Sequence, residues 1–379
     1  ITKEFVYKVG QGSHSAGDSE FSGSDHFGNS LAYTVGKIQV FLNGILIDDS
    51  DDYTAANGTS VILRTAPDSD DVLKVYRYLG TMVHGFDSDF ISQKLGIDSR
   101  RKLKKEETVS DLCAIAVNRL LEETKLDIHK VECFGVVTQT PDYCLPHTSA
   151  IVHSQIGLPK NCAAFDIGLG CSGYVYGLAL MRGLMMAEGL SCGILATADA
   201  YSKIMSPKDK ATAPLFGDAA SATLLGHDGH ARLGKVSFGT DGDKHQALIV
   251  RGSGSRSEKP EPLFMDGRAI FNFMMTEVPK SVLECLEVNK LSINDIDFFV
   301  FHQASEYMLK TLASRMKIPF SKLVVDMRDI GNTTSSSIPV ALQRGVLVHK
   351  NKNEKQSKIL VSGFGVGLSW ATSVLYVGD

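Results

Sequence analysis

Two patterns of hydrophobic and polar residues divide this chain. Up to about residue 80, short apolar runs alternate with clusters of Gly, Asn, Asp and Ser, a pattern typical of short strands joined by tight turns. From about Asp87 onwards, segments with apolar residues at helical spacing alternate with short, continuous apolar runs. This alternation predicts an α/β fold whose strands are buried on both faces.

The first segment predicts a small all-β module. Residues 10–30 are rich in Gly, Ser, Asp and His without apolar periodicity, so we expect a loop there. A hairpin is predicted around Asn43-Gly44, because Asn-Gly accepts the positive φ angles of a type I′ turn, and further strands are predicted at 60–64 and 72–78. Through its turns, the stretch 37–78 resembles the short β repeats of phage tail-fibre proteins.

The most informative stretch of the second segment surrounds Cys171. The apolar run 161–167 is followed by glycines at 168, 170 and 173, and then by a long helical pattern. Such a tight turn from strand to helix exposes one side chain, here that of Cys171. The positive end of the helix dipole is expected to favour the thiolate form of this side chain. We therefore predict that Cys171 is a nucleophile, whereas the other cysteines are expected to be buried free thiols.

Three further stretches carry groups that suit chemistry beside a thiol. His302 ends the apolar run 296–301, where α/β sheets place ligands, and Asn332 lies in a loop before another helix. The stretch 361–370 is predicted to be a glycine loop between strands, whose backbone N–H groups can bind an oxyanion.

Cys, His and Asn in this order also occur in papain-like proteases, so that alternative has to be weighed. Three features argue against it: the chain lacks the signature that surrounds the protease cysteine, an apolar strand enters the tight turn at Cys171, and a helix follows His302.

Composition excludes several other classes of function. With 39 Lys+Arg, 43 Asp+Glu and a net charge of −4, the chain gives no reason to expect nucleic-acid binding. No apolar run is long enough to cross a membrane. Seven cysteines without a CxxC pair indicate a reducing, cytoplasmic compartment and no zinc site, and His14 and His26 lack companions at ligand spacing.

Taken together, the motifs resemble the thiolase superfamily, and most closely the beta-ketoacyl-acyl-carrier-protein synthase III family. The resemblance covers residues 87–378 and rests on Gly96-Ile97, the Gly-Cys-Ser-Gly around Cys171, Phe216-Gly-Asp, His302-Gln-Ala, and Gly331-Asn-Thr. It implies two related βαβ halves that form a layered α/β/α/β/α core. We therefore expect a β module at 1–80, a first half at 81–228 and a second half at 229–379.

The resemblance also implies a reaction. Cys171 would take an acyl group from an acyl-coenzyme A, and His302 and Asn332 would bind the thioester carbonyl of malonyl-acyl carrier protein while it loses carbon dioxide. The backbone amides of Cys171 and Val366 would form an oxyanion hole, although family members usually have glycine in place of Val366. Neither a metal nor an organic cofactor is expected.

Further positions match the family's substrate contacts. Leu145 stands where a pocket residue is supplied across a dimer interface, so a homodimer is expected. The positions that correspond to coenzyme A contacts, the pantetheine tunnel and the acyl pocket are Phe90, Lys94, Leu145, Lys210, Gly267, Phe271, Ala304, Ser305 and Phe364.

Two alternatives to condensation remain open at the level of sequence. The same fold can transfer an acyl group to an oxygen or nitrogen acceptor, and the chain can also be a non-catalytic attachment or scaffold protein that carries the β module. The start of the α/β part differs from the family, which opens with a core strand well before the Gly-Ile motif. Either residues 72–79 replace that strand or the first half lacks it.

Overall fold

The architecture comes from a computed structural model of the chain. It describes residues 95–378 except 228, 257–258 and 348–355, and, before residue 95, the stretches 2–8, 20–22, 24, 30–32, 38–43, 45–47, 53–55, 59–65 and 72–78. The chain divides into two compact units. One is Ile1–Leu95 with Asp266–Phe271, and the other is Gly96–Met265 with Asn272–Asp379.

The first unit is built from short antiparallel strands. These are β1 (Thr2–Lys8), β2 (Glu20–Ser22), β3 (Ile38–Leu42), β4 (Ile45–Ile47), β5 (Tyr53–Thr54), β6 (Ser60–Leu63) and β7 (Val72–Tyr78). One sheet has the order β1-β7-β3-β4 and the other has the order β2-β6-β5. Buried side chains from both sheets, including Tyr7, Phe21, Val40 and Val61, form one core, so the prediction of a small all-β module is confirmed.

The local predictions for this unit have mixed outcomes. The hairpin β3–β4 forms, and Asn43 has a φ of 53° at its turn. The expectation of a loop over 10–30 is wrong at β2, which pairs with β6 and buries Phe21 completely. A three-residue strand with one buried side chain shows no periodicity in the sequence. The resemblance to tail-fibre repeats stays a prediction.

Strand β7 also decides one of the alternatives left open by the sequence. It lies between β1 and β3 in the module's own sheet, antiparallel to both. The interpretation that residues 72–79 replace a core strand of the α/β part is therefore wrong.

The second unit begins with an α/β sheet whose order is β11-β10-β8-β9, called here the first sheet. Strands β8, β9 and β10 are parallel, and β11 is antiparallel to β10. The elements are α1 (Val109–Thr124), β8 (Cys133–Val137), α2 (Thr148–Ile156), β9 (Ala163–Ile167), α3 (Gly173–Glu188), β10 (Cys192–Asp199) and β11 (Ala219–Gly226).

The second sheet has the order β12-β18-β17-β16, and β13 also pairs with β18. Strands β16 and β17 are parallel, and β18 is antiparallel to β17. The elements are β12 (Ala231–Leu233), β13 (Ser237–Thr240), β14 (Leu248–Ile249), β15 (Phe264–Met265), α4 (Gly267–Val288), β16 (Phe298–Phe301), α5 (Glu306–Arg315), α6 (Ser337–Gly345), β17 (Ser357–Gly365) and β18 (Ser369–Val377).

Helices separate and cover the two sheets. Apolar side chains of α3 and α6 form one core with residues of β8 and β10 on one side and of β16, β17 and β18 on the other. On the opposite face of the first sheet, α1 and α2 pack on Phe134 and Val136. Helix α4 contacts the second sheet through Ser281, whose Oγ is 2.8 Å from Thr372 Oγ1. This layering confirms the predicted α/β/α/β/α core.

None of the helices within the described ranges combines the length and apolar character needed to cross a bilayer.

Two glycines of α3 give opposite predictions for stability. A Cβ on Gly177 would lie 2.9 and 3.0 Å from the Cδ atoms of buried Leu195, whereas a Cβ on Gly183 would meet nothing within 4 Å. Gly177→Ala should lower the free energy of unfolding by about 1 kcal/mol or more through overpacking. Gly183→Ala should raise it by about 0.5–1 kcal/mol through helix propensity. Urea denaturation of both variants checks this, and equal shifts would contradict the close packing of α3 on the first sheet.

Candidate active site

Cys171 lies in the sharp connection between β9 and α3. Strand β9 ends at Ile167 and α3 begins at Gly173, so strand, turn and helix follow in the predicted order. A Cβ on Gly173 would collide with Val137, and a Cβ on Gly170 would collide with Gln139. Glycine is needed at 173 because the branched Val137 side chain leaves no room for a Cβ, whereas the contact at 170 is with the flexible end of Gln139.

The sulfur of Cys171 faces the hairpin between β17 and β18. A Cβ on Gly365 would lie only 2.8 Å from both Cβ and Sγ of Cys171. The backbone N–H groups of Cys171 and Val366 lie close enough to the sulfur to favour its charged form. The predicted glycine loop is shorter than expected, since β17 extends to Gly365 and β18 begins at Ser369.

Burial sets the protonation state of this thiol. It raises the pKa of Cys171 to about 12, and the charge of Asp199 adds to the increase, while the two backbone N–H groups oppose it. The expectation of a thiolate is therefore wrong. Desolvation outweighs the opposing backbone N–H groups, and Cys171 is a neutral thiol at pH 7.

The prediction of mostly buried free thiols is confirmed. All seven cysteines are unpaired, Cys144 is exposed and Cys192 is partly buried. The remaining ones are buried: Cys113, Cys133, Cys162, Cys171 and Cys285.

His302 directly follows β16, at the carboxyl end of the second sheet's parallel strands. Its ring is buried, and Nδ1 lies 2.7 Å from Ser337 Oγ. The ring meets Phe364 edge-on, with centroids 5.6 Å apart. Burial lowers the pKa of His302 to about 3, although a backbone hydrogen bond with Thr334 opposes this shift. The imidazole is therefore neutral at pH 7.

Asn332 precedes a 3₁₀ turn, Thr334–Ser336, that leads into α6. Its side-chain Oδ1 accepts a hydrogen bond of 3.0 Å from the backbone N–H of Thr334. Its backbone bonds to Leu215 O and Gly217 N at 2.9 Å each, which joins this loop to the Phe216-Gly-Asp motif. These bonds fix the carboxamide with its nitrogen directed away from Thr334.

Shared neighbours connect the three side chains. Cys171 contacts Gly365, and the adjacent Phe364 packs on His302. The backbone N–H of His302 donates to Ser362 O in β17 at 2.8 Å. Ser337, which bonds His302, lies five positions after Asn332 along a buried stretch of chain. The structure thus brings the predicted thiol and imidazole to the end of β17. The carboxamide of Asn332 is connected to the imidazole along the chain, through Ser337.

The predicted substrate contacts are distributed more widely. Ala304 is buried two positions after His302, and Ser305 caps α5, since its Oγ accepts from Met308 N at 3.3 Å. Leu145 and Lys210 are exposed loop residues.

The remaining two pairs lie elsewhere. Gly267 and Phe271 occupy the first turns of α4, in the segment that belongs to the first unit. Phe90 and Lys94 lie outside the described residues.

Sequence reasoning missed several buried polar residues here. Asp199 ends β10 and accepts hydrogen bonds from Gln139 N and Ser335 N, and Tyr201 donates to Gln139 Oε1 at 2.9 Å. A charged residue at the carboxyl end of an apolar strand is the same signal that identified His302, and it would have found Asp199. Ser337 gave no such signal within its run of hydroxyl residues.

In the part of the chain that the structure describes, no group of three or more His, Cys, Asp or Glu side chains is arranged to hold a metal ion.

Comparison with known proteins places the chain in a family. Residues 165–242 match the model of 3-oxoacyl-[acyl-carrier-protein] synthase III, and residues 286–377 match the model of its C-terminal part. The beta-ketoacyl-[acyl-carrier-protein] synthase III of Streptococcus uberis is 33% identical over 294 residues, which cover 76% of this chain and 90% of that protein. The chain belongs to the beta-ketoacyl-acyl-carrier-protein synthase III family.

Solved structures agree with the family assignment. A 3-oxoacyl-(acyl-carrier protein) synthase from Burkholderia xenovorans superposes with a TM-score of 0.72 and 33% identity, covering 78% of this chain and 88% of that one. The priming beta-ketosynthase of the R1128 polyketide pathway gives 0.70 and 28%, covering 78% and 90%. The predicted thiolase-like fold is confirmed, and this synthase III family member is an acyltransferase of the condensing type.

Gly365 offers a test of the space around the thiol. Gly365→Ala places a methyl group against Cys171 Sγ, so alkylation of Cys171 by iodoacetamide should slow by at least about tenfold, the equivalent of 1.4 kcal/mol of crowding. The mass of the proteolytic peptide that contains Cys171, followed against time at about pH 8, measures the rate separately from exposed Cys144. Gly183→Ala is the matched control and should alkylate like the wild type. Unchanged alkylation in Gly365→Ala would contradict the contact.

His302 predicts a pH dependence of stability. Because burial depresses its pKa in the folded state, protonation favours the unfolded chain; the stability is fully present above about pH 6.5 and is lost as the pH falls toward 3. His302→Asn can still bond Ser337 but does not titrate. Between about pH 8 and pH 5 the wild type should lose up to about 2 kcal/mol more stability than this variant. Thermal melts at both pH values measure this, and an equal or larger loss in the variant would contradict it.

Proposed function

We propose that this chain joins an acyl group from acyl-coenzyme A to malonyl-acyl carrier protein by decarboxylative Claisen condensation, in fatty-acid or related secondary-metabolite biosynthesis. The observation that carries the proposal is the position of the Cys171 sulfur. It lies against the backbone N–H groups of Cys171 and Val366, beside the end of the strand that also contacts His302. Paired N–H donors of this kind stabilise the oxyanion of an acyl-transfer intermediate.

In the first half-reaction, Cys171 attacks the thioester carbonyl of the acyl-coenzyme A. The N–H groups of Cys171 and Val366 bind the oxyanion that forms, and collapse of the intermediate leaves an acyl-thioester on Cys171. The thiol proton ends on the departing coenzyme A thiol. Since Val366 contributes only its amide here, its side chain does not remove the donor that glycine supplies in other family members.

Hydrogen bonds support a direction in which His302 and Asn332 donate. Ser337 Oγ accepts from Gln303 N at 3.4 Å and can donate its own proton to His302 Nδ1. A neutral imidazole that accepts at Nδ1 carries its proton on Nε2. Asn332 Oδ1 is engaged by Thr334 N, so its amide nitrogen is the group left to donate.

In the second half-reaction, these two donors bind the thioester oxygen of the malonyl group. Loss of carbon dioxide leaves an enolate, whose negative charge develops on that oxygen, so the donors stabilise the transition state more than the bound substrate. The enolate carbon attacks the acyl-thioester on Cys171. The products are carbon dioxide, a beta-ketoacyl-acyl carrier protein and the Cys171 thiolate, which takes a proton from water to restore the free thiol.

The remaining sequence interpretations complete the proposal. We assign coenzyme A, pantetheine and acyl contacts to the predicted positions, a cytoplasmic homodimer as the working form, and a boundary between the halves near residue 228. The boundary is supported by the sheets, since β11 ends at Gly226 and β12 begins at Ala231. The substrate contacts so proposed are Phe90, Lys94, Leu145, Lys210, Gly267, Phe271, Ala304, Ser305 and Phe364.

Separate measurement of the two half-reactions tests the mechanism. Acyl-coenzyme A should give an intact-mass adduct that is absent in Cys171→Ala, and malonyl-acyl carrier protein should then release carbon dioxide. Removing one donor in His302→Ala or Asn332→Ala should slow condensation by about 10²–10³-fold. The same variants should form the acyl adduct within about tenfold of the wild-type rate, because their donors act in the second half-reaction.

Each alternative predicts a different result. An adduct that passes to an oxygen or nitrogen acceptor without release of carbon dioxide would support non-condensing acyl transfer. If folded wild-type protein forms no adduct with any acyl-coenzyme A, that result would support a non-catalytic attachment or scaffold protein.

A further inference from the structure

Asp199 is a fully buried carboxylate for which the mechanism above has no use. It is the last residue of β10, at the carboxyl end of the first sheet. Its Oδ1 accepts a hydrogen bond of 2.8 Å from Gln139 N. Its Oδ2 accepts from Ser335 N at 3.2 Å and from Ser335 Oγ. One carboxylate therefore binds two chain segments that are far apart in sequence.

The hydrogen bond between Gln139 N and Asp199 connects Asp199 with the residues beside Cys171. A Cβ on Gly170 would collide with Gln139 Oε1, so the Gln139 side chain lies directly against the residue before Cys171. Tyr201 donates to the same Oε1 at 2.9 Å and is itself fully buried. Asp199 thus fixes the residues that flank the thiol on the side of the first sheet.

The hydrogen bonds between Ser335 and Asp199 connect Asp199 with the segment of the two proposed donors, His302 and Asn332. Ser335 lies in the 3₁₀ turn between Asn332 and Ser337, the residue that bonds His302. The next residue, Ser336, reinforces the attachment, since its Oγ is 2.8 Å from Thr197 Oγ1 in β10. The turn that follows Asn332 and leads to Ser337, the partner of His302, is therefore bonded to the end of β10, where Asp199 lies.

We propose that Asp199 is a positioning residue. It holds the two donors His302 and Asn332, which lie in the second sheet's part of the chain, at working distance from Cys171. This rests on the proposed function, because it concerns the second half-reaction. Hydrogen bonds to an ionised acceptor are roughly twice as strong as neutral ones, and the two oxygens of one carboxylate fix both segments at once. A shift of about 1 Å in a reacting group costs about 10²-fold in rate.

Electrostatics supports the assignment. Burial raises the pKa of Asp199 to about 6, while the hydrogen bonds from Ser335, Gln139 and Thr138 oppose the rise, so the group is ionised at pH 7. That charge raises the pKa of Cys171. The charge of Asp199 is costly to bury and also disfavours the thiolate, so it needs hydrogen bonds that compensate its desolvation. Those bonds come from Gln139 and Ser335, the residues that connect Asp199 to the two sides of the site.

Asp199→Asn is the direct test, because it keeps the side chain's shape and removes the charge and one acceptor. The acyl adduct should form no more than about threefold slower than in the wild type, whereas condensation by the preformed acyl-enzyme should fall by about 10²-fold. Alkylation of Cys171 by iodoacetamide should become faster, by about tenfold for each unit by which the thiol pKa falls.

Two further variants separate position, charge and general damage. Ser335→Ala keeps the charge, so it should slow condensation by about tenfold and leave alkylation unchanged. It also keeps the proposal testable if Asp199→Asn fails to fold. Asp166→Asn is the matched control: this carboxylate accepts Thr148 N and Ser149 N at 2.6 and 2.8 Å, away from the 3₁₀ turn. It should change the two half-reactions by the same factor.

The results distinguish this proposal from the proposed function. If the wild type forms no acyl adduct or releases no carbon dioxide, the proposed function and the role of Asp199 within it both fall. If the wild type condenses and folded Asp199→Asn condenses equally well, or loses both half-reactions equally, only the assignment of Asp199 is overturned. Ser335→Ala with unchanged condensation would overturn it in the same way.

Discussion

The contact between Cys171 and the β17–β18 hairpin is the constraint on which the rest of the site depends. The thiol comes from the first sheet, and Gly365 and Val366, which it touches, come from the second. Neither sheet alone provides both the sulfur and the second N–H donor. The packing of α3 and α6 between the sheets therefore sets the geometry of the site as well as the stability of the fold.

Burial gives the site its electrostatic character. Cys171 and His302 are both shifted toward their neutral forms, and Asp199 is the group that stays ionised at pH 7. A neutral imidazole and a carboxamide donate hydrogen bonds without bringing a positive charge into the interior. Such fixed dipoles respond most strongly to charge that develops during a reaction, which suits an enolate oxygen better than a substrate that is already charged.

Local sequence pattern predicted an α/β fold and the setting of each proposed catalytic side chain, and the family resemblance implied the layered arrangement. Cys171, His302 and Asn332 each stand at a junction where an apolar run, glycines or a hydroxyl-rich loop meets a helix, and such junctions are visible in a single stretch of sequence. The bonds among distant stretches are not. Asp199 and Ser335 are separated by 136 positions, and nothing local indicates that they pair. The direction of the Cys171 pKa was also wrong, because the extent of burial is a property of the packed layers.

In the run from Asn332 to Ser337, the number of residues is as important as their identity. Ser335 reaches Asp199, Ser336 reaches Thr197 and Ser337 reaches His302, so consecutive hydroxyls serve three different partners. A conservative exchange within the run disturbs one of these bonds. A single-codon insertion or deletion would move every hydroxyl to its neighbour's place, so natural variants of this loop should tolerate substitutions but not changes in length.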